Sequence, residues 1–264
     1  MLTSRDNPLM RDIRRLLADT KYRRDTGRFA AEGARLCHDA AVSGIAIESL
    51  LYTARARTAY APLLKPVLES AARAEEISPE LAAWLGDTQS PQGVFCLCDM
   101  PGNRHTGSSA DTITAGRWLA LEDMRDPGNL GAVIRTAEAL GLAGVVLSDG
   151  CCDIYSPKVL RSSMGGVFRL PLLAGGDFAV SILQWQAAGL RCLACVPDAD
   201  AVPVTQADFG TQCLCFIGNE GDGLRAATIS ACDGRITIPM RGRAESLGAA
   251  MAAGIVAWQL QMDK

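Results

Sequence analysis

Histidine is almost missing from this sequence: only His38 and His105 occur in 264 residues. Cys192 and Cys195 have redox or half-zinc-site spacing, but no second Cys/His pair stands ready to complete a zinc site, so no metal is expected. The chain does not open with a secretory signal pattern, because Met1 to Arg15 carries charge throughout and has no apolar centre. The longest apolar run, Leu247 to Trp258, falls well short of the roughly 20 residues that span a bilayer. A soluble, cytoplasmic chain without a membrane partner is expected. Strong net charge is also lacking, at −3, which argues against a protein that coats nucleic acid without selectivity. Neither GxGxxG nor GxxxxGK[ST] occurs, which removes the dinucleotide fingerprint and the phosphate loop. There is no internal repeat and no low-complexity tract.

Other features are plentiful. Apolar residues make up 48% of the chain, enough for a core that needs no staples. The ten cysteines, several of them in apolar runs (Cys96, Cys98, Cys213, Cys215), read as small buried hydrophobes in a reducing cytosol. Charge is uneven locally. Met1 to Arg35 holds nine Arg/Lys against five acids. Two readings of this excess stand: a solvated helical face, or a phosphate-contacting arm that includes Arg11, Arg14, Arg15, Arg23 and Arg24.

Pro101 to Ala110 is small, polar and turn-forming, a linker composition. It divides the chain into a domain over 1–104 and another over 112–264. The first part opens with apolar residues at helical spacing (Leu9, Ile13, Leu16, Leu17), and short apolar segments follow at Ile45–Tyr52 and Val94–Cys98, which predicts a small α/β module. In the second part the apolar segments Trp118–Leu121, Val145–Leu147, Cys192–Val196, Cys213–Ile217 and Ile236–Ile238 alternate with helical patterns such as Leu130–Leu140 and Phe178–Ala188. Continuous apolar strands alternating with helices predict a parallel sheet covered on both faces. Ligands of such sheets sit at the carboxyl ends of the strands.

Three motifs fall at those ends. The first runs from Leu121 through Pro127 and Gly128 into a helix that starts near Asn129 and carries Arg135-Thr136-Ala137. On residue types alone Asn129 is a helix cap, and Arg135 is a surface partner for Glu138. The second, Gly218-Asn219-Glu220-Gly221, is a glycine-rich turn after a buried strand, where a ligand can approach the backbone closely. The third joins Ile238-Pro239-Met240 to Ser246-Leu247, with Ser246 as a candidate cap for a small-residue helix suited to tight packing in a core or between subunits.

In this order and spacing the three motifs resemble the SpoU/TrmH family, a branch of the SPOUT RNA methyltransferases. Tyr155 to Gly166 is similar to the family's connecting segment. Ser4 to Pro8, Arg23 to Phe29 and Glu32-Gly33 are similar to its accessory substrate-binding domain, which is of ribosomal-protein type. The resemblance implies a C-terminal α/β SPOUT domain with a deep trefoil knot, and transfer of a methyl group from S-adenosylmethionine to a ribose 2′-hydroxyl. The RNA is ribosomal on this reading, with transfer RNA as the alternative. It also implies a homodimer joined through the catalytic domain, with Leu247–Trp258 at the interface. Main-chain groups of Gly218, Ile238 and Leu247, with Met240 and Asn219, would hold the donor. Arg135 would position a phosphate or stabilise the developing alkoxide, because a guanidinium is a poor base. Glu220 would orient Arg135 or take the proton, and Asn129 and Ser246 would hold the ribose. One position departs from the family: Gly248 stands where an Asn usually follows Ser-Leu. That departure motivates a rival reading, an RNA-binding relative with weakened catalysis. The low aromatic content and acidic pI motivate another, a small-molecule enzyme on an unrelated doubly wound sheet.

Overall fold

The computed structural model describes residues 1–86, 90–101, 113 and 115–262. It divides into two compact units. Apart from Pro101, the linker-like segment lies outside the described residues.

The first unit comprises Met1–Gly102 together with Asp153–Phe168. Its elements in chain order are α1 (Pro8–Ala18), α2 (Thr20–Thr26), β1 (Arg28–Glu32), α3 (Ala34–Val42), β2 (Ile47–Tyr52), α4 (Ala54–Ala59), α5 (Ala61–Ser70), β3 (Arg73–Glu76), α6 (Pro79–Leu85) and β4 (Val94–Asp99). The strands form a mixed sheet in the order β1-β4-β2-β3, antiparallel except for the β2–β3 pair. β1 and β3 carry arginines and glutamates, so neither stands out in the sequence as an apolar segment. The buried stripe of α1 is Met10, Ile13, Leu16 and Leu17; Leu9 is only half-buried. Asp153–Phe168 joins this unit although it lies far along the chain. Its Tyr155 ring stacks on Phe29 at 4.7 Å, its Phe168 ring lies 5.8 Å from Phe29, and its Asp153 pairs with Arg23 at 2.7 Å.

The rest of the chain continues with β5 (Arg117–Leu121), α7 (Pro127–Ala139), β6 (Gly144–Ser148), α8 (Pro157–Ser163), α9 (Gly166–Arg169), β7 (Leu172–Gly176), α10 (Phe178–Ala187), β8 (Arg191–Cys195), β9 (Val202–Pro203), β10 (Cys213–Ile217), α11 (Ala226–Ala231), β11 (Gly234–Thr237) and α12 (Ala249–Met262). In the second unit all seven strands run parallel, in the order β7-β6-β5-β10-β8-β11-β9. The central strand β10 is buried at every residue, as a strand covered on both faces requires. Against one face pack Phe178 and Trp185 of α10, with Phe178 edge-on to Phe216 at 5.3 Å. Helices α7 and α12 pack against each other, and α12 packs on β5 and β10.

Four helices begin with one local device: Asn7-Pro8, Ser78-Pro79, Asp126-Pro127 and Ser156-Pro157 each place a capping side chain just before a proline at the first turn. The side chain accepts a free N–H of the first turn, and the proline pre-sets the helical φ. This corrects the start of α7. Asp126 Oδ1 accepts the Asn129 N–H at 2.8 Å, so Asp126 is the cap and Asn129 keeps its side chain for other partners. It also corrects α12. Gly248 O accepts the Ala252 N–H at 3.0 Å, so Gly248 rather than Ser246 holds the cap position.

All ten cysteines are free thiols. Cys213 and Cys215 lie two apart on a strand and so share a face, with their sulfurs 3.6 Å apart.

Candidate functional site

The loops leaving β8, β10 and β11 rise together at the carboxyl end of the parallel sheet. With the start of α12 they wall a cavity of about 440 Å³, within the usual range for small-molecule sites. Gly218, Asn219, Glu220, Ile238, Met240, Ser246 and Leu247 all line it. Cys195, Asp198, Arg235 and Thr237 also line it, although none of the three motifs contains Cys195, Asp198 or Arg235 and none of the four is marked for the site by its neighbours in sequence. Arg235 pairs with Asp198 at the wall. Burial pushes the Cys195 thiol up to about 11, so this wall carries very little thiolate at neutral pH.

The β10 loop is closed on itself. Asn219 Oδ1 accepts the N–H groups of Gly221 at 2.8 Å and Asp222 at 2.7 Å, and Asn219 N–H reaches Gly223 O at 3.2 Å. The Asn219 side-chain oxygen therefore shapes the loop, and only the rest of the residue is left to meet a ligand. Gly218 must be glycine for the same closure, because a Cβ there would fall 2.0 Å from the Gly223 carbonyl carbon. From the same loop, Glu220 Oε1 accepts the side-chain amide N–H of Asn129 at 2.9 Å. Motif one and motif two thus meet through a side-chain hydrogen bond, made by an Asn129 whose residue type alone suggests a helix cap.

Arg135 is not drawn into this meeting. It is exposed and has no hydrogen-bonded or ion-paired partner among the described residues. Six positions beyond Asn129 on α7, it lies about 120° round the helix axis. Its expected partner Glu138 pairs instead with Arg169, at 2.8 Å.

The basic residues of the first unit separate into groups. Arg23 is 2% exposed and binds Asp153, Leu16 O and Thr20. Its assignment to phosphate contact is corrected: the guanidinium is consumed inside the fold. Arg14 donates to Leu85 O at 3.1 Å and lies over the Trp84 ring. Arg24 is exposed. Arg11 and Arg15 line an open cavity of about 540 Å³ with Tyr22, Arg28 and Arg73, tempered by Asp12 and Glu48.

Among the described residues no cluster of three or more His, Cys, Asp or Glu could hold a metal ion, and no helix is long and apolar enough to cross a membrane.

A parallel α/β unit with a loop-walled pocket at its strand ends, joined to a smaller α/β unit, defines a two-part enzyme with a small-molecule site. The chain belongs to the SpoU rRNA Methylase family, which it matches over residues 117–258. Residues 7–96 match the MRM3-like substrate binding domain. A 23S rRNA (guanosine(2553)-2′-O)-methyltransferase of Bacillus subtilis is 29% identical over 260 residues, 98% of each chain. A 23S rRNA (uridine(2479)-2′-O)-methyltransferase of Streptomyces viridochromogenes is 32% identical, over 98% of this chain and 90% of that one. The crystal structure of an AdoMet-bound rRNA methyltransferase from Sinorhizobium meliloti superposes with a TM-score of 0.86 at 28% identity, over 99% of this chain and 97% of that one.

Proposed function

We propose that this chain transfers the methyl group of S-adenosylmethionine to a ribose 2′-hydroxyl of ribosomal RNA, and that it works as a homodimer in a reducing compartment. The observation that carries the reading is the cavity walled by the second and third motifs and the loop after β8, with Asn129 of the first motif bonded to Glu220 of its lining. The cavity fits the donor chemically. Ile217, Leu224, Ile238 and Leu247 supply apolar walls for adenine, the loops supply main-chain groups, and Asp198 and Arg235 supply charges for the polar end. Bound there, the donor offers an electrophilic methyl group on a sulfonium.

The chain's own residues then have three tasks. The loops hold the donor and exclude water. Asn129 spends its Nδ2 on Glu220 and keeps Oδ1 to accept a ribose hydroxyl. The Glu220 carboxylate, exposed and already oriented, takes the hydroxyl proton as attack proceeds. Arg135 binds the neighbouring phosphate or the developing alkoxide as a fixed cation. Arg11, Arg15 and Arg24 contact RNA phosphates from the accessory unit, and the family knot belongs to the same reading.

The dimer reading rests on the α7/α12 layer. Met251, Trp258 and Met262 of α12 are 61%, 56% and 61% exposed at helical spacing, an apolar stripe that a second copy would cover. Arg135 stands exposed on α7, the helix that α12 packs against. The ten free thiols support a reducing compartment.

The experiment is transfer of labelled methyl from S-adenosylmethionine to ribosomal and transfer RNA from cells lacking this protein, followed by nucleoside analysis and a measurement of mass in solution. A 2′-O-methylated nucleoside in ribosomal RNA, made by a dimer, is expected. Label in transfer RNA would move the substrate, a monomer would remove the shared interface, and donor binding without transfer would favour the weakened relative.

A further inference from the structure

Glu122 has no exposed surface at all, and it lines no cavity described above. It is the first residue after β5, the strand in register beside β10 with Leu121 opposite Ile217. Its N–H donates to Ile217 O at 2.9 Å, at the entry of the Gly218–Leu224 loop. Its carboxylate grips the loop's exit: Oε2 accepts the Arg225 N–H at 2.7 Å, and Oε1 accepts the Thr228 hydroxyl at 2.6 Å and lies 3.2 Å from Arg225 Nε. Helix α11 begins just there and has no side-chain cap of its own. Glu122 thus supplies from another strand what a capping-box glutamate supplies locally. One buried residue closes both ends of the loop, while Asn129 holds its crest through Glu220.

We infer that Glu122 is the positioning residue of the donor pocket: it fixes the span of the Gly218–Leu224 loop and thereby sets affinity for S-adenosylmethionine. The inference rests on the donor reading of the pocket. Glutamine at position 122 keeps the size but offers only one acceptor oxygen. With the amide oxygen on the Arg225 N–H, the Thr228 hydroxyl can only accept from the amide nitrogen and its own proton loses its acceptor, an expensive loss for a buried group.

The test is calorimetric titration of S-adenosylmethionine into wild type, Glu122→Gln, Thr228→Val and Thr228→Ser, with no RNA present, alongside circular dichroism and amide exchange. Glu122→Gln is expected to raise the donor Kd at least tenfold and to speed exchange across residues 218–225, with unchanged exchange in β5 and β10. Thr228→Val is expected to move in the same direction, and Thr228→Ser, which keeps the hydroxyl, to restore wild-type binding. If Glu122→Gln does not fold, the two Thr228 variants decide alone. A folded Glu122→Gln that melts earlier yet binds within twofold of wild type would overturn the inference and leave the donor reading intact. Wild type that fails to bind the donor would overturn both.

Discussion

In the N-terminal unit arginine is largely a building material. Arg23 is sealed against Asp153, Arg28 is held between Asp12 and Glu48 at 2.9 and 3.1 Å, Arg35 meets Asp39, and Arg14 and Arg5 lie over Trp84. In the C-terminal unit, Arg135, Arg241 and Arg243 are exposed and without a hydrogen-bonded or ion-paired partner among the described residues. The basic surplus of the N-terminal stretch therefore overstates the positive charge it leaves free. Of the nine basic residues up to Arg35, only Arg11, Lys21 and Arg24 are exposed with no side-chain hydrogen bond, ion pair or ring contact to another described residue. A count of charges measures supply; what a ligand can meet is the remainder after the fold has used its share.

Exchanging each arginine for alanine is the sharpest way to break this contrast. Arg135→Ala is expected to lower kcat about 10²–10³-fold, the loss seen when one preorganised donor is removed from a reacting centre, with the melting temperature nearly unchanged. Arg23→Ala is expected to leave kcat of the folded protein alone but to destabilise it by about 3 kcal/mol, because Asp153 stays buried without its counter-charge. Denaturant melts and single-turnover assays on the two variants separate these effects. A stable Arg23→Ala, or a fully active Arg135→Ala, would erase the distinction.

An intermediate effect comes from Cys195 in the cavity wall. Its thiol is raised from 9.0 to about 11 by burial. The folded chain therefore holds this proton more tightly than the unfolded one. Its contribution to stability is complete below pH 9 and is lost as pH rises toward 11. Cys195→Ser melts compared between pH 8 and pH 10.5 isolate it: wild type should lose more stability over that interval than the variant.

The smallest effect is expected at Gly248, where the family usually has Asn. The position caps α12, its surroundings leave room for a Cβ, and glycine is only a few tenths of a kcal/mol poorer than asparagine as a cap. Gly248→Asn should therefore raise the melting temperature by about 1 °C and change donor Kd by less than twofold. A large gain in methyl transfer would show that the asparagine does more than cap.

Much was legible in advance wherever a residue's role depends on its neighbours in sequence. Five apolar segments mark five of the seven parallel strands, because a strand covered on both faces must be apolar throughout. β7 and the two-residue β9 escaped notice. The cap-plus-proline pairs were readable too, and Asp126-Pro127 would have placed the start of α7. Motif spacing selected the cavity residues of the second and third motifs and the Asn129 that bonds to one of them, since each motif directly follows a strand. Long-range pairings leave no local trace. Nothing beside Asn129 announces Glu220, 91 positions away; nothing beside Glu122 announces Arg225 and Thr228; and the burial of Arg23 depends on Asp153, 130 positions on.

The sequence by itself determined the parallel architecture, the family and the loops that form the site, because these follow from periodicity and from motifs contiguous in the chain. Only the tertiary structure decided which charges are spent and which are free, and which carboxylate, Glu122, fastens the loop. Those outcomes depend on desolvation and on distances of about 3 Å between residues that the chain keeps far apart.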